Sequence, residues 1–240
     1  MSSQPNMRWG TAAATQSNAA FDEGLRQHML RVYNYMGLGL VITGLVAFFV
    51  GNTPALYVPI FSSPLKWVVM FAPLGFVMFF SFKINSLSAS AAQAMFWAFC
   101  GIMGLSMASI FLNFTGASIA RTFFISAAMF GVMSLYGYTT KANLAKFGSF
   151  LIMGLIGVVI ASIVNIFLGS SVLQFAVSII GILVFLGLTA WDTQSIKDQY
   201  SEHNGVEGNQ KLAVMGALSL YLSFINIFQL LLSLTGQQED

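Results

Sequence analysis

The sequence predicts an all-α polytopic membrane protein with seven transmembrane helices. Three observations carry that expectation. Of 240 residues, 57% are hydrophobic and only 8% charged, with a mean hydropathy of +0.78, whereas soluble domains carry about a quarter charged residues. Seven apolar stretches are long enough to cross roughly 30 Å of hydrocarbon, which takes about 20 helical residues. Basic residues fall unevenly between them. With the N-terminus inside, Arg8, Arg26, Arg31, Lys83, Lys141, Lys146, Lys197 and Lys211 lie on the cytoplasmic side and only Lys66 and Arg121 outside, an eight-to-two bias of the kind that sets orientation. An odd number of spans then leaves the C-terminus external.

The elements follow in order. Residues 1–30 form a polar cytoplasmic segment, with an interfacial helix expected over Phe21 to Arg31, and residues 31–236 form the membrane domain. Span one runs from about Val32 to Val50 and stops at Gly51-Asn52-Thr53-Pro54. Span two, about Leu65 to Phe82, contains Pro73, which membrane helices tolerate when neighbours satisfy the freed carbonyl. Span three covers about Ala91 to Leu112, span four Ile119 to Tyr138 and span five Phe147 to Leu168. Gly101 and Gly104, and Gly154 and Gly157, are expected to let helix backbones approach. Span six runs from Val172 to Asp192 and span seven from Leu212 to Leu234, separated by a long charged loop, and residues 237–240 form a short acidic tail.

Composition also removes function classes. A net charge of +2 with scattered basic residues gives no nucleic-acid surface. The single Cys100 excludes an intrachain disulfide and a cysteine metal cluster. The N-terminal segment lacks the apolar core of a secretory signal, so span one is its own insertion signal. His28 and His203 are both expected outside the spans, which leaves an intramembrane serine protease without a base and a zinc site without ligands. No lysine occupies the middle of a span to hold retinal. The expectation is a protein that is not an enzyme and carries no cofactor and no bound metal.

One carboxylate stands out. Asp192 is the only acid attached directly to an apolar run, and an acid against hydrocarbon either sits at the water interface or faces a protein-lined interior with a partner. Lys83 and Lys197 are the candidate cations. Span seven carries Ser219, Ser223, Asn226 and Ser233 on one helix face, a stripe that either lines a water path or bonds to neighbouring helices. Ser162 and Asn165 on span five are possible partners for it.

These motifs resemble the Bax inhibitor-1 family, also called the transmembrane Bax-inhibitor-motif family. Trp191-Asp192, Gln194 and Ile196-Lys197 are similar to the end of its span six, and Leu220 to Phe228 resembles its Leu-Tyr-Leu-Asp-Phe-Ile-Asn-Leu-Phe pattern. Tyr136 to Lys141 and Phe147 to Phe150 are similar to its span four to five region. The resemblance implies six helices around a central seventh and a pH-regulated calcium leak. It also implies that Asp192 would pair with a second aspartate on span seven and latch to a nearby cation, here Lys83. That second aspartate is Ser223 in this chain. A serine cannot share a titrating proton with Asp192 near neutral pH, so altered pH gating is expected. Asp192, Ser223, Asn226 and Ser219 are the candidate ion path and gate. The alternative is a non-transporting membrane protein that modulates a quality-control protease or a stress-response partner. The close look of spans four to seven to bacterial members points to a bacterial inner membrane.

Overall fold

Away from water a chain must satisfy its own backbone hydrogen bonds, and a run of apolar residues does so as helix. The computed structural model describes residues 8–237, and no strand occurs among them. In chain order the helices are α1 (Arg8–Gly51), α2 (Pro54–Phe61), α3 (Leu65–Lys83), α4 (Ala89–Met107), α5 (Ile110–Asn113), α6 (Gly116–Thr139), α7 (Ala145–Leu168), α8 (Ser171–Gln199) and α9 (Gly205–Thr235). Seven spans long and apolar enough to cross a membrane are present among the described residues, α4 and α5 together making one. Their starts follow local chemistry. Ser88, Thr115 and Ser170 accept from the backbone N–H three residues on and so cap α4, α6 and α8. Gly169, at φ 61°, closes α7 in the left-handed conformation that glycine adopts without strain.

Three expected boundaries move. Helix α1 runs unbroken through residue 30, so the expected interfacial helix is the first part of span one. Residues 1–7 of the N-terminal segment and residues 238–240 of the acidic tail lie outside the described residues. Helix α8 continues past Asp192 to Gln199, and α9 starts at Gly205, which shrinks the charged connection to residues 200–204. The reason is that charged residues are compatible with helix once it leaves hydrocarbon. Lys211 and Glu207 pair at 3.6 Å on the first turns of α9.

The helix ends sort into two levels. Arg26, Arg31, Lys83, Lys141, Lys146, Lys197 and Lys211 gather at one end of the bundle, and Lys66 and Arg121 at the other. Helix α9 is the most buried span. It lies against α1, α4, α6 and α8, while α3 packs on α4 and α7 on α8. The expected ring of six is therefore an inner set of four with α3 and α7 outside it. Phe150, Met153, Ile156, Ile166 and Phe167 of α7 remain exposed, as lipid-facing residues do.

The glycines divide. A methyl group on Gly104 would lie 2.7 Å from the Thr43 carbonyl, and one on Gly154 3.0 Å from Val184, so these positions are close helix contacts. Gly101 and Gly157 face open space. The closest approach to another helix's backbone is at Gly137 on α6, where a methyl group would fall 2.2 Å from the Ala190 carbonyl oxygen of α8.

Hydroxyls tie the inner helices together. Thr43 Oγ1 donates to the Cys100 carbonyl at 2.9 Å and meets the Tyr221 hydroxyl at 2.6 Å. Because the threonine proton is already used, Tyr221 is the donor. Its ring is fully buried against the edges of Phe96 and Phe99. The same reasoning orders a second chain. Thr193 donates to the Thr189 carbonyl, so Ser134 donates to Thr193 and Tyr33 to Ser134, joining α1, α6 and α8. Tyr221→Phe removes a donor and leaves Thr43 bonded, at a cost of about 1 kcal/mol; Thr43→Val strands a buried phenol and costs about 2 kcal/mol. Thermal unfolding in detergent measures both, and the order fails if Tyr221→Phe is the more damaging.

Candidate functional site

Asp192 sits seven residues before the end of α8, about 10 Å of helix inside it. Trp191 beside it packs where Gly148 of α7 leaves room, and Gly216 of α9 allows Ile196 of α8 to come close. This draws α9 tightly alongside the acid. Ser219 Oγ donates to Asp192 Oδ2 at 2.7 Å. Ser223, one turn further along α9 and buried, lies beside the same carboxylate. The family's second acid would have stood at this position. Neighbouring Gln194 clamps the α6–α7 connection, accepting from the Leu144 N–H at 2.8 Å and donating to the Ala142 carbonyl at 2.9 Å.

The carboxylate opens on a cavity of about 310 Å³ lined by α1, α8 and α9, including His28, Asp192, Ser195, Gln199 and Ser219. A space of that size holds several waters, and the polar side chains set in its largely apolar wall give them partners. No lysine or arginine pairs with Asp192 among the described residues; the ion pairs there are Arg26 with Glu23 and Lys211 with Glu207. Lys83 is exposed at the end of α3, which packs on α4, and does not line this cavity. Lys197 donates instead to the Tyr138 carbonyl at 3.0 Å and lies over that ring.

Other members of the expected stripe separate. Asn226 lines a different cavity, of about 450 Å³, between α3, α4 and α9. Seven residues of α9, about 10 Å, divide it from Ser219. Ser233 accepts from Gln174, which also accepts from Asn165, so these groups form a structural tie near the α7–α8 turn. Ser162 bonds back to its own helix at Val158. The stripe is thus part cavity lining and part packing.

His28 is the residue that sequence misses. Expected outside the spans, it lies within α1 at 3% exposure. Neither ring nitrogen has a hydrogen-bond partner among the described residues. The Tyr200 ring covers it at 5.3 Å, and it faces the Asp192 cavity. The available signal was spacing: His28, Val32 and Met36 stand four apart and share one buried face. A polar flank hid that periodicity.

Fold and site together define a multi-pass integral membrane protein whose two last spans close around one acid. The family described as inhibitor of apoptosis-promoting Bax1 matches residues 25–240, and the chain belongs to this Bax inhibitor-1 family. It is 48% identical to a Rickettsia prowazekii protein over 96% of this chain and 98% of that one. It is 44% identical to a Caulobacter vibrioides protein over 95% of each. Escherichia coli K12 inner membrane protein YbhL is 42% identical over 90% of this chain and 93% of its own length.

Proposed function

We propose that this chain is a cation leak channel of a bacterial inner membrane, with calcium the ion that the family resemblance implies. The observation that carries the reading is Asp192, which has no cationic partner among the described residues and opens on a cavity with further polar side chains in its wall. In this reading Asp192 draws cations into the cavity, Ser219 holds the carboxylate, and Ser223 and Asn226 line the way onward along α9. The layer between the two cavities, where Tyr221 is pinned to Thr43, is the closed gate. Weak oxygen sites suit conduction, since a tightly held ion does not leave. The inner-membrane name of YbhL supports the location, and the basic end of the bundle supports a cytoplasmic N-terminus. Calcium flux into proteoliposomes, compared between the native chain and Asp192→Asn, tests the reading.

Ser223 removes the shared-proton pair, which leaves Asp192 itself and His28 as the two titratable side chains on the cavity through which a pH response would run. Facing or flanking His28 are Arg31 on α1, Asp192 and Tyr200 on the α8 side, and Ser219 on α9, whose Lys211 is already paired with Glu207. The α4 residues along α1 add no charged group. Histidine gains its proton between pH 8 and pH 5. Acidification therefore adds positive charge to the cavity and lowers cation flux. His28→Gln is expected to flatten that fall; a variant that keeps the native profile would take His28 out of the pH response.

A further inference from the structure

At the end of the bundle that carries Lys66, two cavities adjoin and share Met70 and Ser106. One, of about 320 Å³, is lined by Lys66 and Trp67; the other, of about 450 Å³, by Pro73, Val77, Asn226 and Gln229. Together they make a slot between α3 and α9 with α4 as its floor. Each is within the size range of small-molecule sites, roughly 300–1,000 Å³. Met70 and Leu74, which line the slot, are exposed on α3 together with Phe71.

Its polarity is ordered along its length. Lys66 is the second residue of α3, so its ammonium stands at the helix end, 5.5 Å from the Trp67 ring centroid and without a carboxylate among the described residues. Lysine and tryptophan together mark the headgroup level of a bilayer. Gln229 is six residues before the end of α9, about 9 Å deeper. It is exposed, and its carboxamide has no hydrogen bond among the described residues. Asn226 donates one amide N–H to the Leu222 carbonyl at 2.8 Å and leaves its second N–H free among the described residues. Unpaired amides facing hydrocarbon are costly, so these two groups call for a polar partner at that depth. Beyond them the walls are apolar. From Lys66 to Val77 the slot follows eleven residues, about 16 Å of helix.

Cation, amide donors and apolar channel in that sequence match phosphate, ester carbonyls and acyl chain. We infer that this slot binds one anionic phospholipid. Its phosphate lies on Lys66, its ester oxygens accept from the Gln229 carboxamide, and one chain runs between Pro73 and Val77 of α3 and the facing α9. Bound there, the lipid braces α3 against α9 and covers Asn226, so while it is in place it closes the onward way that the leak reading runs past that residue. The site does not depend on the cation-leak reading, and its test involves no transport.

The test is native mass spectrometry of the full chain in mild detergent, with equal amounts of phosphatidylglycerol and phosphatidylcholine added. The expected result is one retained phosphatidylglycerol per chain, preferred over phosphatidylcholine. Lys66→Gln should lower that preference roughly fivefold, the effect of one interfacial cation. Gln229→Leu should weaken retention of both lipids, and Arg121→Gln, at the same end but on α6, should change neither. All three positions are exposed, so the variants keep the fold. Equal retention of the two lipids by the native chain overturns the proposal. So does an Arg121→Gln effect as large as that of Lys66→Gln, which would mean diffuse attraction, or unchanged binding in Gln229→Leu.

Discussion

Asp192→Asn is expected to lower calcium flux into dye-loaded proteoliposomes at least severalfold while the protein stays folded. Asparagine has nearly the shape of aspartate, and its carbonyl oxygen still accepts from Ser219, so the 2.7 Å bond and the cavity persist. Only the charge is lost. A unit charge about 4 Å from a cation is worth about 1 kcal/mol even at the dielectric constant of water, and several times that near a protein surface. The smaller figure already changes a rate roughly fivefold. Unchanged flux in a folded variant would take Asp192 out of the path. Ser223→Asp is the complementary experiment. It sets a second carboxylate beside the first, and two such groups share a proton rather than both ionise. A new pH-dependent step in this variant is the expected outcome. If the native chain and both variants are folded and none conducts, a membrane modulator of a protease or stress partner becomes the better account.

The largest stability effect is expected at Gly137. An added methyl group cannot coexist with the Ala190 carbonyl oxygen of α8, because both atoms belong to rigid helix backbones. Helices α6 and α8 must separate, and the Tyr33–Ser134–Thr193 chain is broken beside the contact. Overpacking alone costs up to about 3 kcal/mol, and strained buried hydroxyls add to it. Gly137→Ala should therefore lower the unfolding temperature in detergent by far more than Gly157→Ala, which adds its methyl group to open space. Equal losses in the two variants would show that the α6–α8 approach is not tight.

Span number and the family were legible because each rests on local pattern, and the pairing of Asp192 with span seven was implied by the resemblance. Apolar run length reports a crossing, and residues 219, 223 and 226 share a face by helical periodicity alone. Radial position is a different quantity. Lys83 and Asp192 belong to the same end of the bundle, yet α3 packs on α4, and nothing in the local sequence around Lys83 encodes that distance. Asn226 shares a face with Ser219 but opens into another cavity because α3 and α4, far away in the chain, shape the space beside it. Helix ends were displaced for a simpler reason: hydropathy locates the edge of the hydrocarbon, and α1, α8 and α9 all continue beyond it.

The helix that completes the core is made after its neighbours. Helix α9 follows every helix it packs against, and the Thr43–Tyr221 bond spans 178 residues. During synthesis α1, α4, α6 and α8 therefore enter the bilayer with their inner faces unmatched, His28 and Thr43 among them. Membrane helices insert first and associate afterwards, so assembly here cannot finish until the ribosome has delivered α9. A chain stalled before Gly205 would present an open, partly polar groove in the membrane, a form that quality-control machinery can distinguish from the finished bundle.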